Sequence, residues 1–305
     1  MADDVGVWKD SQINLVRAFL AQMRPRDAAP KSWPERRADM DAFGATAILP
    51  EGLTVEPIDI DGLAAERLTP AGEVTGHLLY LHGGGYCLGS PTSHRGLAGR
   101  LATQARLVAL VPDYRLAPEH PCPAAIDDAL KAYRSVLASG ADPARILVAG
   151  DSAGGGLTLA LAVALREAGL PRPAGLFVIS PWANLSQVGA SYDAVGRDDP
   201  MLTREGLDEF AQAYLGGGSA EQPQASPVLA DLKDLSPLLI QVGAAEVLLS
   251  DSIALAERAG LAGVPTQLEI WPEMIHVWHA FSEHLDAGRR AIDAAATWMA
   301  ARLGG

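Results

Sequence analysis

The chain has 305 residues, 49% of them apolar and 20% charged, with a formal net charge of −13. That length suits one large α/β domain or two small ones, and so apolar a composition excludes a disordered chain. The acidic balance argues against nucleic acid and against a membrane surface as partners, since both require a basic face.

The first fifty residues carry "LVRAFLAQMR", an amphipathic helical pattern, then "PKSWPERRADMDAFG", with no strand signal. The acidic, mixed start "MADDVGVWKD" does not read as a secretory signal. From Leu53 the texture changes. "LTVEPIDI" and "AAERLTP" predict two early strands in an antiparallel hairpin. Short apolar runs then recur at 77–81, 106–111, 145–150, 175–180, 238–243 and 266–271. Helical patterns such as "AIDDALKAYRSVLASG" and "SIALAERAGLAG" lie between most of them. This alternation predicts a mostly parallel sheet of about eight strands with helices on both faces. Residues 185–235 break the rhythm with at least one helix, Thr203 to Tyr214, and read as an insertion rather than a linker. The longest apolar run, Leu157–Leu165, is far too short to span a bilayer. Cys87 and Cys122, the only two cysteines, read as free buried thiols. A cytoplasmic protein fits these features.

Gly150-Asp151-Ser152-Ala153-Gly154 fits G-x-S-x-G between a predicted strand and a predicted helix, the context a nucleophile elbow requires. So tight a turn needs very small flanking residues. It leaves the serine hydroxyl exposed at the carboxyl edge of the sheet, beside the N-terminal dipole of a helix. His82-Gly83-Gly84-Gly85 follows another predicted strand. Its unshielded backbone N–H groups, with that of Ala153, suit the oxygen of a tetrahedral intermediate. A phosphate-binding loop is excluded because neither G-K-[ST] nor GxGxxG spacing is present.

HGGGY at 82–86, "DYRLAPEHPCPAAIDD" at 113–128 and GDSAGG at 150–155 together resemble the hormone-sensitive-lipase-like family of α/β-hydrolase esterases. The likeness continues through "SPWANLS" (180–186) and "SPLLIQVGAAEVLLSDS" (236–252). It implies an α/β-hydrolase fold, Ser152 as nucleophile, and Gly84, Gly85 and Ala153 as oxyanion donors. It also implies a helical cap made of residues 1–50 and the insertion 185–235, with the core formed by 51–184 and 236–305. Asn184 stands where family members often have Asp.

In this fold the chain order is Ser, then Asp or Glu, then His. His276 and His279 both follow the last predicted strand. His276 is the expected base, lying in the loop and fitting the family's Met-x-His pattern. His279 is placed in a helix, His284 on a helix surface, and His77, His94 and His120 read as structural. Two carboxylates follow "LLIQVG". Asp251 sits where a helix N-cap is wanted. Glu246 has no such local role, stands nearer the strand end, and aligns with the acid of the family's Asp-x-Leu pattern. Glu246 is the expected acid and Asp251 the second choice.

The implied reaction is hydrolysis of short- to medium-chain acyl esters through an acyl-enzyme, with no cofactor and no metal. Trp8, Trp33, Phe43, Tyr192, Phe210 and Tyr214 fall in the cap segments as pocket linings or as packing. An amidase or arylformamidase using the same triad, and a non-catalytic ligand-binding relative, are the alternatives. The partner is a small ester, with a homodimer through the edge strand Thr266–Trp271 plausible for the family.

Overall fold

The computed structural model describes residues 11–23, 31–196 and 198–304; Trp8 lies outside them. Two helices come first, α1 (Ser11–Met23) and α2 (Trp33–Gly44). A hairpin follows, β1 (Thr54–Ile60) and β2 (Leu63–Thr69). Its corner is Asp61-Gly62, with φ of +50° and +86°, the positive pair that a type I′ turn demands and that Asp-Gly supplies.

The remaining strands are β3 (Gly76–Leu81), β4 (Leu107–Pro112), β5 (Ile146–Asp151), β6 (Gly175–Ile179), β7 (Leu238–Gly243) and β8 (Thr266–Trp271). They form one eight-stranded sheet in the order β1-β2-β4-β3-β5-β6-β7-β8. β2 runs antiparallel to both β1 and β4, and every other pair is parallel. The apolar runs are continuous because both sheet faces are covered. Leu79, Leu81, Ile146 and Val148 pack with α4 (Ala124–Ala138), α5 (Ala153–Glu167) and α8 (Leu249–Leu261). Their strand neighbours Leu78, Tyr80, Leu147 and Ala149 pack with α3 (Pro91–Ala105) and α9 (Asp286–Leu303).

Strand ends differ from the apolar runs by single residues. Arg106 is the left-handed cap of α3, Arg145 closes a 3-10 turn, and Ser180 leaves β6 with a φ of +47°. The insertion contains α6 (Ala190–Ala194) and α7 (Arg204–Leu215), and Thr203 caps α7 by accepting the Gly206 N–H at 3.1 Å. It shares the main core: Leu207, Ala211 and Tyr214 are buried in it, and Tyr214 stacks on Tyr86 at 3.7 Å. α7 also meets α2, through the Trp33–Phe210 ring pair at 5.3 Å and the Arg36–Glu209 ion pair. α1 lays Ile13 and Val16 on Met274, Ile275 and Trp278. Cys87 is buried and Cys122 half-buried, and both are free thiols. Among the described residues no helix is long and apolar enough to cross a membrane.

Candidate active site

The carboxyl ends of β3, β5, β6, β7 and β8 meet at one rim of the sheet. Ser152 stands where β5 becomes α5, with φ +56° and ψ −123°. Such a conformation costs a non-glycine residue about 1–3 kcal/mol and survives only where its surroundings fix it. Here the Ser152 N–H donates to the Ile179 carbonyl at 2.8 Å, and its carbonyl accepts from Trp182 N–H at 2.9 Å. The flanking glycines are steric necessities. A Cβ on Gly154 would lie 2.5 Å from the His82 carbonyl oxygen and closer still to that of Leu81, and one on Gly150 would strike the Gly154 carbonyl.

His276 lies in the loop after β8. Its Nε2 is 2.9 Å from Ser152 Oγ and its Nδ1 is 2.6 Å from Glu246 Oε2. Glu246, in the loop after β7, is fully buried. Its second oxygen, Oε1, accepts from Gly243 N–H and from the Ser180 hydroxyl, both at 2.7 Å. The loop carrying Glu246 and the loop carrying His276 are tied directly, since Ala245 N–H donates to the Met274 carbonyl at 3.0 Å. Burial pulls the His276 pKa down, but the hydrogen bond and charge of Glu246, with the carboxylates of Asp199 and Asp151, outweigh it and hold the imidazole above its ordinary value.

The other candidates part from this line. His279 sits in a buried 3-10 turn with Nε2 on Gln241 Oε1 at 2.7 Å, and burial pushes its pKa down to about 3. His284 is exposed in a turn rather than on a helix, because α9 starts only at Asp286. Asp251 does not cap α8. The helix begins two residues earlier, so the carboxylate turns inward. There it accepts from Ala183 N–H (3.1 Å), Asn184 N–H (2.9 Å) and the Tyr192 hydroxyl (3.0 Å). Burial, and the charge of Glu246, push its pKa up to about 7 against those three donors. Asn184 is itself buried and accepts the Ser186 N–H in a local turn.

The glycine loop lies against the elbow. Gly84 and Gly85 have φ of +114° and +63°, and Ala153 opens α5, where a helix leaves N–H groups without intrahelical partners. Asp151 anchors the loop by accepting the Gly83 N–H at 3.1 Å and the Tyr80 hydroxyl at 2.7 Å. Burial would raise the pKa of Asp151, but facing His94, the Tyr80 hydroxyl and His82 hold it below its ordinary value. Buried His82 stacks on Tyr114 at 4.1 Å, and burial pushes its pKa down to about 3. His94 is buried against Asp151, His77 is half-buried on β3, and His120 is exposed in a loop. Phe210 rests on Gly85, where its ring fills the space a Cβ would occupy. Ser180, Asp151 and Asp199 are functional neighbours that motif reading passed over. For Ser180 and Asp151 the one local signal is a polar residue at the carboxyl end of a buried strand; Asp199, between α6 and α7 in the insertion, has none. Among the described residues no three His, Cys, Asp or Glu side chains are grouped to hold a metal ion.

A serine on a strained strand-to-helix corner, an imidazole behind it and a glycine loop beside it make up the arrangement expected of an α/β-hydrolase. The chain belongs to the α/β-hydrolase fold family, whose profile matches residues 78–280. Among curated relatives it is similar to an acetyl-hydrolase of Streptomyces hygroscopicus, 42% identical over 296 residues that span 96% of this chain and 97% of that protein. It is similar also to the carboxylesterase NlhH of Mycobacterium tuberculosis, 32% identical over 292 residues that span 92% and 86%. A solved esterase from the bacterial hormone-sensitive lipase family superposes with a TM-score of 0.93 at 38% identity, covering 97% of this chain and 99% of that one. The esterase EstE5, soaked with p-nitrophenyl butyrate, gives 0.92 at 40% identity, covering 97% and 100%. Within the fold family, the chain is a carboxylic ester hydrolase of the hormone-sensitive-lipase type.

Proposed function

We propose that this protein hydrolyses short- to medium-chain acyl esters through a Ser152–His276–Glu246 triad. The observation that carries the reading is the unbroken line from Ser152 Oγ through both imidazole nitrogens to a fully buried carboxylate. His276 takes the Ser152 proton at Nε2 as Oγ attacks the acyl carbon. The carbonyl oxygen becomes an oxyanion, which the N–H groups of Gly84, Gly85 and Ala153 receive. Collapse expels the alcohol, which leaves with the proton from His276, and an acyl-Ser152 ester remains. Water, deprotonated by His276, then attacks that ester and releases the acid. Glu246 holds the Nδ1–H throughout and balances the imidazolium charge.

The preference for shorter chains is supported by the bulk beside the proposed oxyanion loop, where the Phe210 ring lies against Gly85 and Trp33 packs on Phe210. A p-nitrophenyl ester series from acetate to palmitate, run on wild type, Ser152→Ala, Glu246→Gln and Asp251→Asn, tests the whole proposal. Loss of activity with the first two, retention with the third, and rates falling beyond medium chains are expected. Ser152→Ala keeping more than a few per cent of activity would remove the nucleophile assignment. Loss with Asp251→Asn instead of Glu246→Gln would move the acid. A rate rising steadily to palmitate would remove the chain-length reading.

A further inference from the structure

Outside the triad itself, one fully buried hydroxyl touches the site and has no role in the steps above. Ser180 is the first residue past β6, in the left-handed region at φ +47°, with its N–H on the Gln241 carbonyl of β7 at 2.8 Å. That backbone breaks the alternation of the strand, and its Oγ lies between the acid loop and the base loop. Oγ is 2.7 Å from Glu246 Oε1 and 3.2 Å from the N–H of Val277, the residue directly after His276.

The direction of both bonds is forced. A backbone N–H only donates, so Ser180 Oγ accepts from Val277. A hydroxyl has one proton, which then goes to Glu246 Oε1. The resulting chain runs Val277 N–H to Ser180 Oγ–H to Glu246 Oε1, while Oε2 receives the Nδ1–H of His276. With the Gly243 N–H, Oε1 carries two donors and Oε2 carries His276. A carboxylate so filled is fixed in rotation, each oxygen held by its own donors. Val277 is β-branched and held at φ +48°, so its bond to Ser180 also steadies the backbone that aims the imidazole.

Resting on the triad reading above, we propose that Ser180 is a positioning residue for ester hydrolysis. It holds Glu246 turned toward His276, and it ties the acid to the backbone beside the base. The carboxylates facing His276 are Glu246, Asp199 and Asp151. Of these Glu246 alone is hydrogen-bonded to Ser180, so a change at Ser180 reaches the charge around the imidazole through Glu246 and its aim through Val277.

The test is the pH profile of kcat/KM for p-nitrophenyl butyrate with Ser180→Ala, alongside wild type. The expected result is kcat lower by about tenfold to a hundredfold, the rate equivalent of one hydrogen bond to a charged group, with KM little changed. The acidic limb, set by His276, should move by about half a pH unit or more. It moves up if the carboxylate stays in place with its charge less stabilised, and down if it swings away. Either displacement supports the role. A kcat within twofold of wild type, or a lower kcat with the limb unmoved, would overturn it, because general loosening of the fold leaves His276 titrating as before. Ser180→Cys, near-isosteric with a weaker donor, should fall between the two. It carries the same test should Ser180→Ala not fold. Ser152→Ala and Glu246→Gln in the same assay separate failure of the triad reading from failure of this one: if either stays active, the triad is wrong and Ser180 is not at issue.

Discussion

At the scale of single residues, burial alone does not decide what a carboxylate does. Glu246 and Asp251 are both buried and five residues apart in sequence, yet one meets His276 and the other meets backbone N–H groups and a tyrosine. Asp251 has a folded pKa of about 7 against an ordinary 3.8. A raised acid holds its proton more tightly in the folded state. Its contribution therefore favours folding most at low pH and is lost as pH rises from about 4 to about 7. Asp251→Asn removes that dependence. Melting curves should show wild type losing stability relative to Asp251→Asn across that window, with the gap constant above it. A gap that does not change with pH would mean that Asp251 stays ionised throughout. The side chains that the structure brings together had signals in the sequence: Ser152 between its glycines, the glycine loop, and His276 and Glu246 by chain order, by closeness to a strand end and by the family's Met-x-His and Asp-x-Leu patterns. Ser180, Asp199 and Asp151 were not legible there. Their partners lie 66, 48 and 68 residues away, and no periodicity reports a pairing at that range. The N-cap reading of Asp251 failed for a related reason. α8 starts at Leu249, and only the folded partners at 183, 184 and 192 show why the carboxylate is wanted inside.

At the scale of elements, the strands were readable because a sheet covered on both faces writes continuous apolar runs. The insertion gave up its helix but not its task. The residue after the acid, Val247, is held on both sides by insertion residues: its N–H donates to Asp199 Oδ2 at 3.0 Å and its carbonyl accepts from the Ser191 hydroxyl. Asp199 also receives the N–H groups of Met201 and Leu202. Asp199→Ala leaves three backbone donors without this acceptor. Each unsatisfied buried group costs about 1–3 kcal/mol, partly recovered by relaxation and water, so a net loss on the order of 2–4 kcal/mol is expected in urea unfolding. A midpoint equal to wild type would show that the carboxylate is dispensable to the loop.

At the scale of the whole molecule, the two sheet edges are unlike. β1 carries Pro57, Glu56 and Asp59, residues that discourage pairing with another chain. β8 reads TQLEIW, leaves Ile270 45% exposed, and engages its one charge, Glu269, with Gln241, Gln267 and Trp271. We propose a homodimer through β8. Light scattering should return twice the 31.9 kDa of the chain and fall toward the single mass with Ile270→Lys. A wild type that scatters as one chain would end the idea. The sheet order has a temporal consequence as well. Ser152, Glu246 and His276, the proposed nucleophile, acid and base, follow β5, β7 and β8, which enter the polypeptide in that sequence, and Ser180 joins the last two loops. During synthesis the nucleophile emerges more than a hundred residues before its base, so a nascent chain carries the serine without the means to activate it. On the triad reading proposed above, ester hydrolysis waits until β8 docks beside β7 and brings His276 to Ser152.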